Sequence, residues 1–358
     1  MTGINSSSIS SESTEVQRRS LADSAPLILP SEHPPGVAPF VPARGIRGGH
    51  LQTLCSAFFP GNPRIQGTVQ RKLRLPDDDF LVLHDDAPPG WRRGDHVVLM
   101  MHGLGGSHQS GYMARIAAKL HDRKIRTFRM DHRGCGAGAG LAKRPYHAGR
   151  IEDLHAAIGM VERLCPGSLI SLAGFSLSGN LLLRYLGDSV DRVPLSVFRA
   201  VAVCPPIDLQ RCMIALGQSP RGQRYDYYFA QKMVSHIAAG PMWQEHLPLA
   251  QVRRPPRRLY ELDSLFTAPA SGYQSAEHYY ECASATAVIS KIRVHTTILG
   301  SQDDPVIDVG IFSGLKLPPN VTMCLTAHGG HMGYIGRTGC DPDRRWMDWR
   351  VVEWLLDA

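Results

Sequence analysis

The chain of 358 residues holds no run of about 18 apolar residues, the length a helix needs to cross a bilayer, so no membrane-spanning segment is expected. It has no Cys-x-x-Cys pair, and its eight cysteines follow no framework spacing, which argues against a stapled scaffold or a zinc module. Gly-Lys-Ser/Thr is absent, and Gly134, Gly136, Gly138 and Gly140 do not make G-x-G-x-x-G, so a phosphate-binding loop is not expected. Aromatics are scarce at 7% and are not interleaved with the short basic pairs Arg253-Arg254 and Arg257-Arg258, which speaks against nucleic acid. No apolar leader follows Met1, whose neighbours are polar and Ser-rich. A reducing, cytoplasmic setting follows as the expectation.

What is present is an ordinary globular mixture: 43% hydrophobic, 20% charged, with 39 Lys+Arg against 32 Asp+Glu for a net charge of +7. Length suggests about two domains, or one large α/β unit with an insertion. Residues 1–35 lack periodicity and read as a flexible tail. Short apolar runs at 97–101, 125–130, 169–173, 200–203, 294–299 and 321–325 are bounded by Gly, Pro or charge, as strands buried on both faces are. Helical spacing occupies 111–121, 151–164, 177–186 and 344–356. The alternation predicts an α/β fold with a mostly parallel central sheet and helices on both faces. Residues 207–290 break the rhythm, with helical stretches at 209–216 and 225–239 and no strand signal. Far longer than an ordinary connection, this segment is expected to be a helical lid inserted between a first core part, 36–206, and a second, 291–358.

Chemistry concentrates where the predicted strands end. Gly174-Phe175-Ser176-Leu177-Ser178-Gly179 follows one strand and opens a helix, the tight turn that lifts a serine Oγ clear of the backbone. Ser178 stands where the usual pattern has a second Gly, and the turn is expected to form more tightly. No cysteine occupies this turn, so Ser176 is the candidate nucleophile. A neutral hydroxyl needs a neighbouring base. His331, in the Gly-rich loop His328–Gly333 after the last predicted strand, is the candidate, with His328 as competitor. No third ligand accompanies these two histidines, so no metal is expected. The acid that orients the base should end the preceding strand, at Gln302-Asp303-Asp304-Pro305. Spacing leaves the two open; Asp304, directly before Pro305, is preferred and Asp303 is the alternate. His102-Gly103-Leu104-Gly105-Gly106 after another strand can free backbone N–H groups for an oxyanion, with Leu104 and Leu177 as the expected donors.

These motifs, together with Gly49-His50-Leu51-Gln52-Thr53, His132-Arg133-Gly134-Cys135-Gly136 and Tyr146-His147-Ala148-Gly149, resemble the YheT-like branch of the α/β-hydrolase superfamily, related to eukaryotic alpha/beta-hydrolase-domain esterases. The resemblance runs from about residue 40 to the C-terminus. It implies an α/β-hydrolase fold, a charge relay on Ser176, Asp304 and His331, and hydrolysis of short- to medium-chain acyl esters, acylglycerols or acyl transfer to an alcohol included. A small-molecule acyl ester is the expected partner, and no cofactor is required. A non-catalytic binding module on the same fold is the rival reading. His50, Gln52 and Thr53 are expected to pin the N-terminal segment to the sheet, and Arg133 and Asp153 to brace loops. Tyr273, Tyr279 and Tyr280 are expected to pack the inserted segment, with an acyl pocket as their alternative role.

Overall fold

The structure, a computed structural model, describes residues 37–61, 63–239 and 254–357, so the expected tail lies outside the described residues. Eight strands form one sheet: β1 Val69–Arg74, β2 Phe80–Asp86, β3 Val97–Met101, β4 Arg126–Asp131, β5 Ile170–Phe175, β6 Val197–Val203, β7 His295–Ser301 and β8 Val321–Thr326. Their spatial order is β1-β2-β4-β3-β5-β6-β7-β8. Pairing is antiparallel for β1 with β2 and β2 with β4, and parallel throughout the rest.

The six expected strands are present, and β1 and β2 add an antiparallel edge that the apolar runs did not predict. The reason is chemical. β1 reads Val-Gln-Arg-Lys-Leu-Arg, and β2 ends in a buried His84-Asp85-Asp86, a sequence that burial alone would penalise. Pairing with β4 supplies the missing partners. Arg126 donates to both oxygens of Asp85 at 2.8 and 2.7 Å, and Arg129 donates to both of Asp86 at 2.7 and 3.1 Å. Bidentate geometry of this kind offsets the desolvation that a lone carboxylate would suffer.

Alternate strand residues feed two cores on opposite faces of the sheet. Leu99, Met101 and Leu172 face α3 Ile151–Leu164 and α4 Leu177–Asp188, which contribute Leu154, Ile158, Leu182 and Leu186. Val98, Met100 and Phe175 face α2 Gly111–Asp122 and the C-terminal helix α8 Trp346–Leu356, with Met113, Ile116, Leu120, Trp346 and Val351. Each fully buried side chain of this size is worth about 1.5–3 kcal/mol. A further helix, α1 Gly49–Phe58, precedes the sheet and was not predicted.

Between β6 and β7 the described residues are helical. They form α5 Leu209–Gln218, α6 Pro220–Ala239, a helical stretch at 259–270 with a π turn at Asp263–Thr267, and α7 Ala276–Ala283. Asp208 caps α5 by accepting from Arg211 N at 3.0 Å, and Ser275 caps α7 by accepting from His278 N at 3.2 Å.

Candidate active site

β5 leads directly into the turn at Ser176, whose φ of 52° is one that L residues adopt only under constraint. The Ser176 amide is held by Val203 O of the neighbouring strand at 2.8 Å. The turn doubles the chain back so tightly that a side chain on Gly174 would collide with the Ser178 carbonyl. Helix α4 starts at the next residue, Leu177.

His331 arrives from the loop after β8. Its Nε2 lies 3.0 Å from Ser176 Oγ, and its Nδ1 lies 2.9 Å from Asp304 Oδ2. That arrangement assigns the ring proton to Nδ1 and leaves Nε2 as acceptor of the serine hydroxyl. Asp304 is itself fixed, since its Oδ1 accepts from Val306 N and Ile307 N at 2.8 and 2.9 Å. The thiol of Cys204, beside Asp304, is pushed far up by burial and by that carboxylate, so it stays protonated and hydrogen-bonds to it. Asp303 does something else. Its Oδ1 accepts from Ser301 Oγ at 2.7 Å and Gly330 N at 2.9 Å, and its Oδ2 meets the exposed His328 at 3.2 Å. Of the two adjacent aspartates, Asp304 therefore contacts the His331 imidazole and Asp303 braces the loop that carries it. His328, the competitor base, faces Asp303 rather than Ser176.

The loop after β3 lies against the serine turn. A side chain on Gly103 would sit 3.0 Å from Ser176 Cβ, so only glycine lets the two backbones meet this closely. Gly103 N donates to Tyr112 Oη at 2.9 Å, Gly105 N to Tyr146 Oη at 2.7 Å, and Gly106 N to Gly103 O at 3.0 Å. Among the described residues, the amides of Leu104 and Leu177 donate to no intramolecular acceptor. The pinned neighbours thus leave the two expected donors available beside Ser176.

Behind this loop lies a buried polar network that the motif reading did not predict. Ser178 Oγ donates to His102 O at 2.5 Å and accepts from His132 Nε2 at 2.7 Å, so the residue that departs from the Gly pattern ties the turn to the loop. Burial lowers His102 to about 4 and pushes His132 well down, keeping both rings neutral. Burial also holds the Tyr146 phenol well above its ordinary range, so it remains a hydroxyl able to accept from Gly105. Tyr146 belonged to a quoted motif, yet nothing in its sequence neighbourhood signals this role.

A profile of the family described as "alpha/beta hydrolase fold" matches residues 96–338. The chain belongs to the alpha/beta hydrolases. It is 32% identical to the putative esterase YheT of Escherichia coli strain K12 over 321 residues, which span 89% of this chain and 93% of that protein. It is 26% identical to the monoacylglycerol lipase of Saccharomyces cerevisiae over 79% of this chain, and the match spans only 63% of the lipase. The fold is similar to that of the Pyrococcus furiosus esterase Pf2001, with a TM-score of 0.51 at 18% identity, covering 82% of this chain and 98% of the esterase.

In this hydrolase Arg133 and Asp153 brace loops as expected, whereas His50, Gln52 and Thr53 tie the N-terminal segment to α6 and to the loop after β8 rather than to the sheet. Gln52 donates to Ile46 O and Ile335 O and accepts from Ile335 N, while Thr53 Oγ1 accepts the His331 amide at 2.8 Å. Arg133 donates to both oxygens of Asp153, and also to Asp77 and Asp79. Tyr279 and Tyr280 are buried and spend their hydroxyls on Ala148 N and Asp263, and Tyr273 packs at the edge of Tyr279. Among the described residues, two groups bring three metal-ligating atoms together: Cys204, Asp304 and His331, and His84, His108 and Asp131. In the second, both imidazoles already bond the same Asp131 oxygen at 2.9 and 2.8 Å. A cleft of about 690 Å³ lined by Asp188, Asp191, Arg192, Ser290 and Arg293 opens at the far end of α4 and includes none of the site residues.

Proposed function

We propose that the chain is a serine hydrolase of carboxylic esters working through an acyl-enzyme. The 3.0 Å contact between Ser176 Oγ and His331 Nε2 carries this reading, because it gives the hydroxyl a base in the ring state that Asp304 enforces. Ser176 attacks the ester carbonyl while His331 takes the hydroxyl proton, and the amides of Leu104 and Leu177 receive the developing oxyanion. His331 then protonates the departing alkoxide. Water, deprotonated by the same ring, releases the acid and restores Ser176. No cofactor enters these steps.

Short- to medium-chain acyl esters are the substrate class we assign, with acylglycerols included on the strength of the yeast relative's name. Residues 207–290, of which 240–253 lie outside the described residues, act as the lid. Supporting this, α6 brings Tyr225 against His50 at 3.1 Å, the Lys232 chain against Gly105, and Met233 Sδ to Tyr146 Oη at 3.4 Å. The eight cysteines are thiols rather than disulfides, which fits a reducing, cytoplasmic setting.

The test is a p-nitrophenyl ester series from acetate to laurate, with fluorophosphonate labelling followed by intact mass. Wild type should hydrolyse a subset and take up one label. Ser176→Ala should lose both, with kcat down about 10⁵–10⁶-fold. Retention of either by the variant removes Ser176 as nucleophile. Product analysis with added ethanol separates hydrolysis from acyl transfer.

A further inference from the structure

Helix α1 is amphipathic the wrong way round. Its polar side chains point inward: Gln52 bonds both Ile335 N and Ile335 O, Thr53 holds the His331 amide, and Ser56 Oγ donates to Met332 O at 3.3 Å. Its apolar side chains point outward. Leu51, Leu54 and Phe58 fall on one stripe at helical spacing and are 40%, 42% and 74% exposed, and Phe59, just past the helix end, is 70% exposed. This exposure is not a frayed end. Arg115 donates to Pro60 O, Arg345 donates to Phe59 O, and Phe59 N bonds Cys55 O at 3.0 Å, so the backbone beneath the two phenylalanines is fixed.

The helix that carries the stripe borders the candidate site. The inner face of the same helix supports His331, Gly49 abuts the Asp303 carbonyl, and His50 stacks on Tyr225 of α6. One turn further along α6, Tyr228 is again more than half exposed. Arginines flank the stripe in sequence, although Asp303 lies against Gly49 and Asp343 beside Arg345 at the far end. Residues 41–66 contain Arg44, Arg47 and Arg64 and no Asp, Glu or Lys. Arg44, Arg47 and Arg64 at the two ends of α1, with Arg337, which meets Val41 through its amide, are exposed and form no ion pair among the described residues.

We propose that the outer face of α1 docks this protein on an anionic lipid surface, with Leu51, Leu54, Phe58 and Phe59 entering the headgroup layer and the flanking arginines facing lipid phosphates. An apolar helix face flanked in the chain by exposed arginines without ion pairs, one helix wide and not a groove, matches an anionic bilayer better than a folded partner. The candidate site lies across α1 from this face, so docking would hold it about one helix diameter from the lipid. The inference goes beyond ester hydrolysis and does not depend on it, because docking needs no turnover.

Flotation with vesicles of phosphatidylcholine alone, and of phosphatidylcholine with phosphatidylglycerol, tests it on the full chain. Wild type and Ser176→Ala should float equally with the anionic vesicles and fall off as salt rises. A Leu54→Ser/Phe58→Ser/Phe59→Ser variant should float at least about tenfold less, at an unchanged melting temperature and with p-nitrophenyl acetate turnover within about twofold. Arg44→Gln/Arg47→Gln/Arg64→Gln should lose the preference for anionic lipid. No flotation by wild type, or flotation undiminished in the apolar variant, overturns the proposal. So does a dimer that the apolar variant converts to monomer, which makes a second copy the occupant. Flotation gained only when Leu27, Ile28 and Leu29 are replaced by Ser overturns it as well, since the chain's own N-terminal segment would then cover the face.

Discussion

At the residue scale, the adjacent Asp303 and Asp304 illustrate how little sequence spacing decides. Both precede Pro305 within two positions, and either could orient a histidine. Only the folded chain sends Asp304 Oδ2 to His331 Nδ1 and spends Asp303 on Ser301, Gly330 and His328. Asp304→Asn is therefore expected to lower kcat about 10³–10⁴-fold by favouring the wrong imidazole tautomer. Asp303→Asn, which only loosens the loop, should cost about tenfold or less. Steady-state kinetics on p-nitrophenyl butyrate checks both, and equal losses would remove the distinction. Tyr146→Phe tests the loop after β3, the proposed oxyanion site, in the same assay. Deleting the acceptor for Gly105 N leaves a buried donor unpaired, at a cost of about 1–3 kcal/mol in stability. With the loop less firmly aimed, kcat should fall about tenfold while KM changes little. An unchanged kcat would mean that Leu104 N is aimed without Tyr146.

At the element scale, β2 and β4 are coupled by charge as much as by backbone pairing. Asp85 and Asp86 become acceptable inside the sheet because Arg126 and Arg129 reach them diagonally from the neighbouring strand, and the loop after β4 repeats the device. There Arg133 bridges Asp153 of α3 to Asp77 and Asp79 of the β1–β2 turn. Removing the cation leaves the buried Asp153 carboxylate without its bidentate partner, while Asp79 keeps the Lys143 and Arg144 amides. Arg133→Met should accordingly destabilise the fold by about 3–5 kcal/mol, read as a shift of the urea midpoint. A loss near that of a surface substitution would show that the carboxylates find other partners. Such pairs explain why this edge was illegible in the sequence. A run such as Val97–Met101 declares itself by being apolar throughout, whereas His84-Asp85-Asp86 is a strand only once its partners, some 40 residues along the chain, are in place.

For the whole molecule, the buried neutral histidines set a direction of pH dependence. Burial lowers His102 to about 4 and holds His132 and His147 well below the ordinary 6.5. Between about pH 6.5 and 4 the unfolded chain therefore binds more protons than the folded one, and stability falls as the pH falls. Asp263 runs the other way. Burial raises it to about 6, so its contribution is present at low pH and is lost as the pH rises toward 6. Burial also raises Asp153, Asp226, Asp341 and Glu353 and lowers His50, His96 and His236. With six imidazoles against five carboxyls, and the imidazoles acting from about pH 6.5 downward, the urea midpoint should drop between about pH 7 and about pH 4.5. A midpoint that rises over this range would mean that these rings are charged in the fold. The sequence by itself determined the parallel core of the sheet, the strand-turn-helix at Ser176 and the order serine, aspartate, histidine. Apolar runs and glycine-rich turns are local, and each carries its own physical reason within a few residues. Only the tertiary structure decided which aspartate meets His331, that Tyr112 and Tyr146 aim the loop at Leu104, and that α1 turns its apolar side to solvent. Each depends on a partner distant in the chain, and hydrogen bonds and burial across such separations leave no periodic trace in the order of residues.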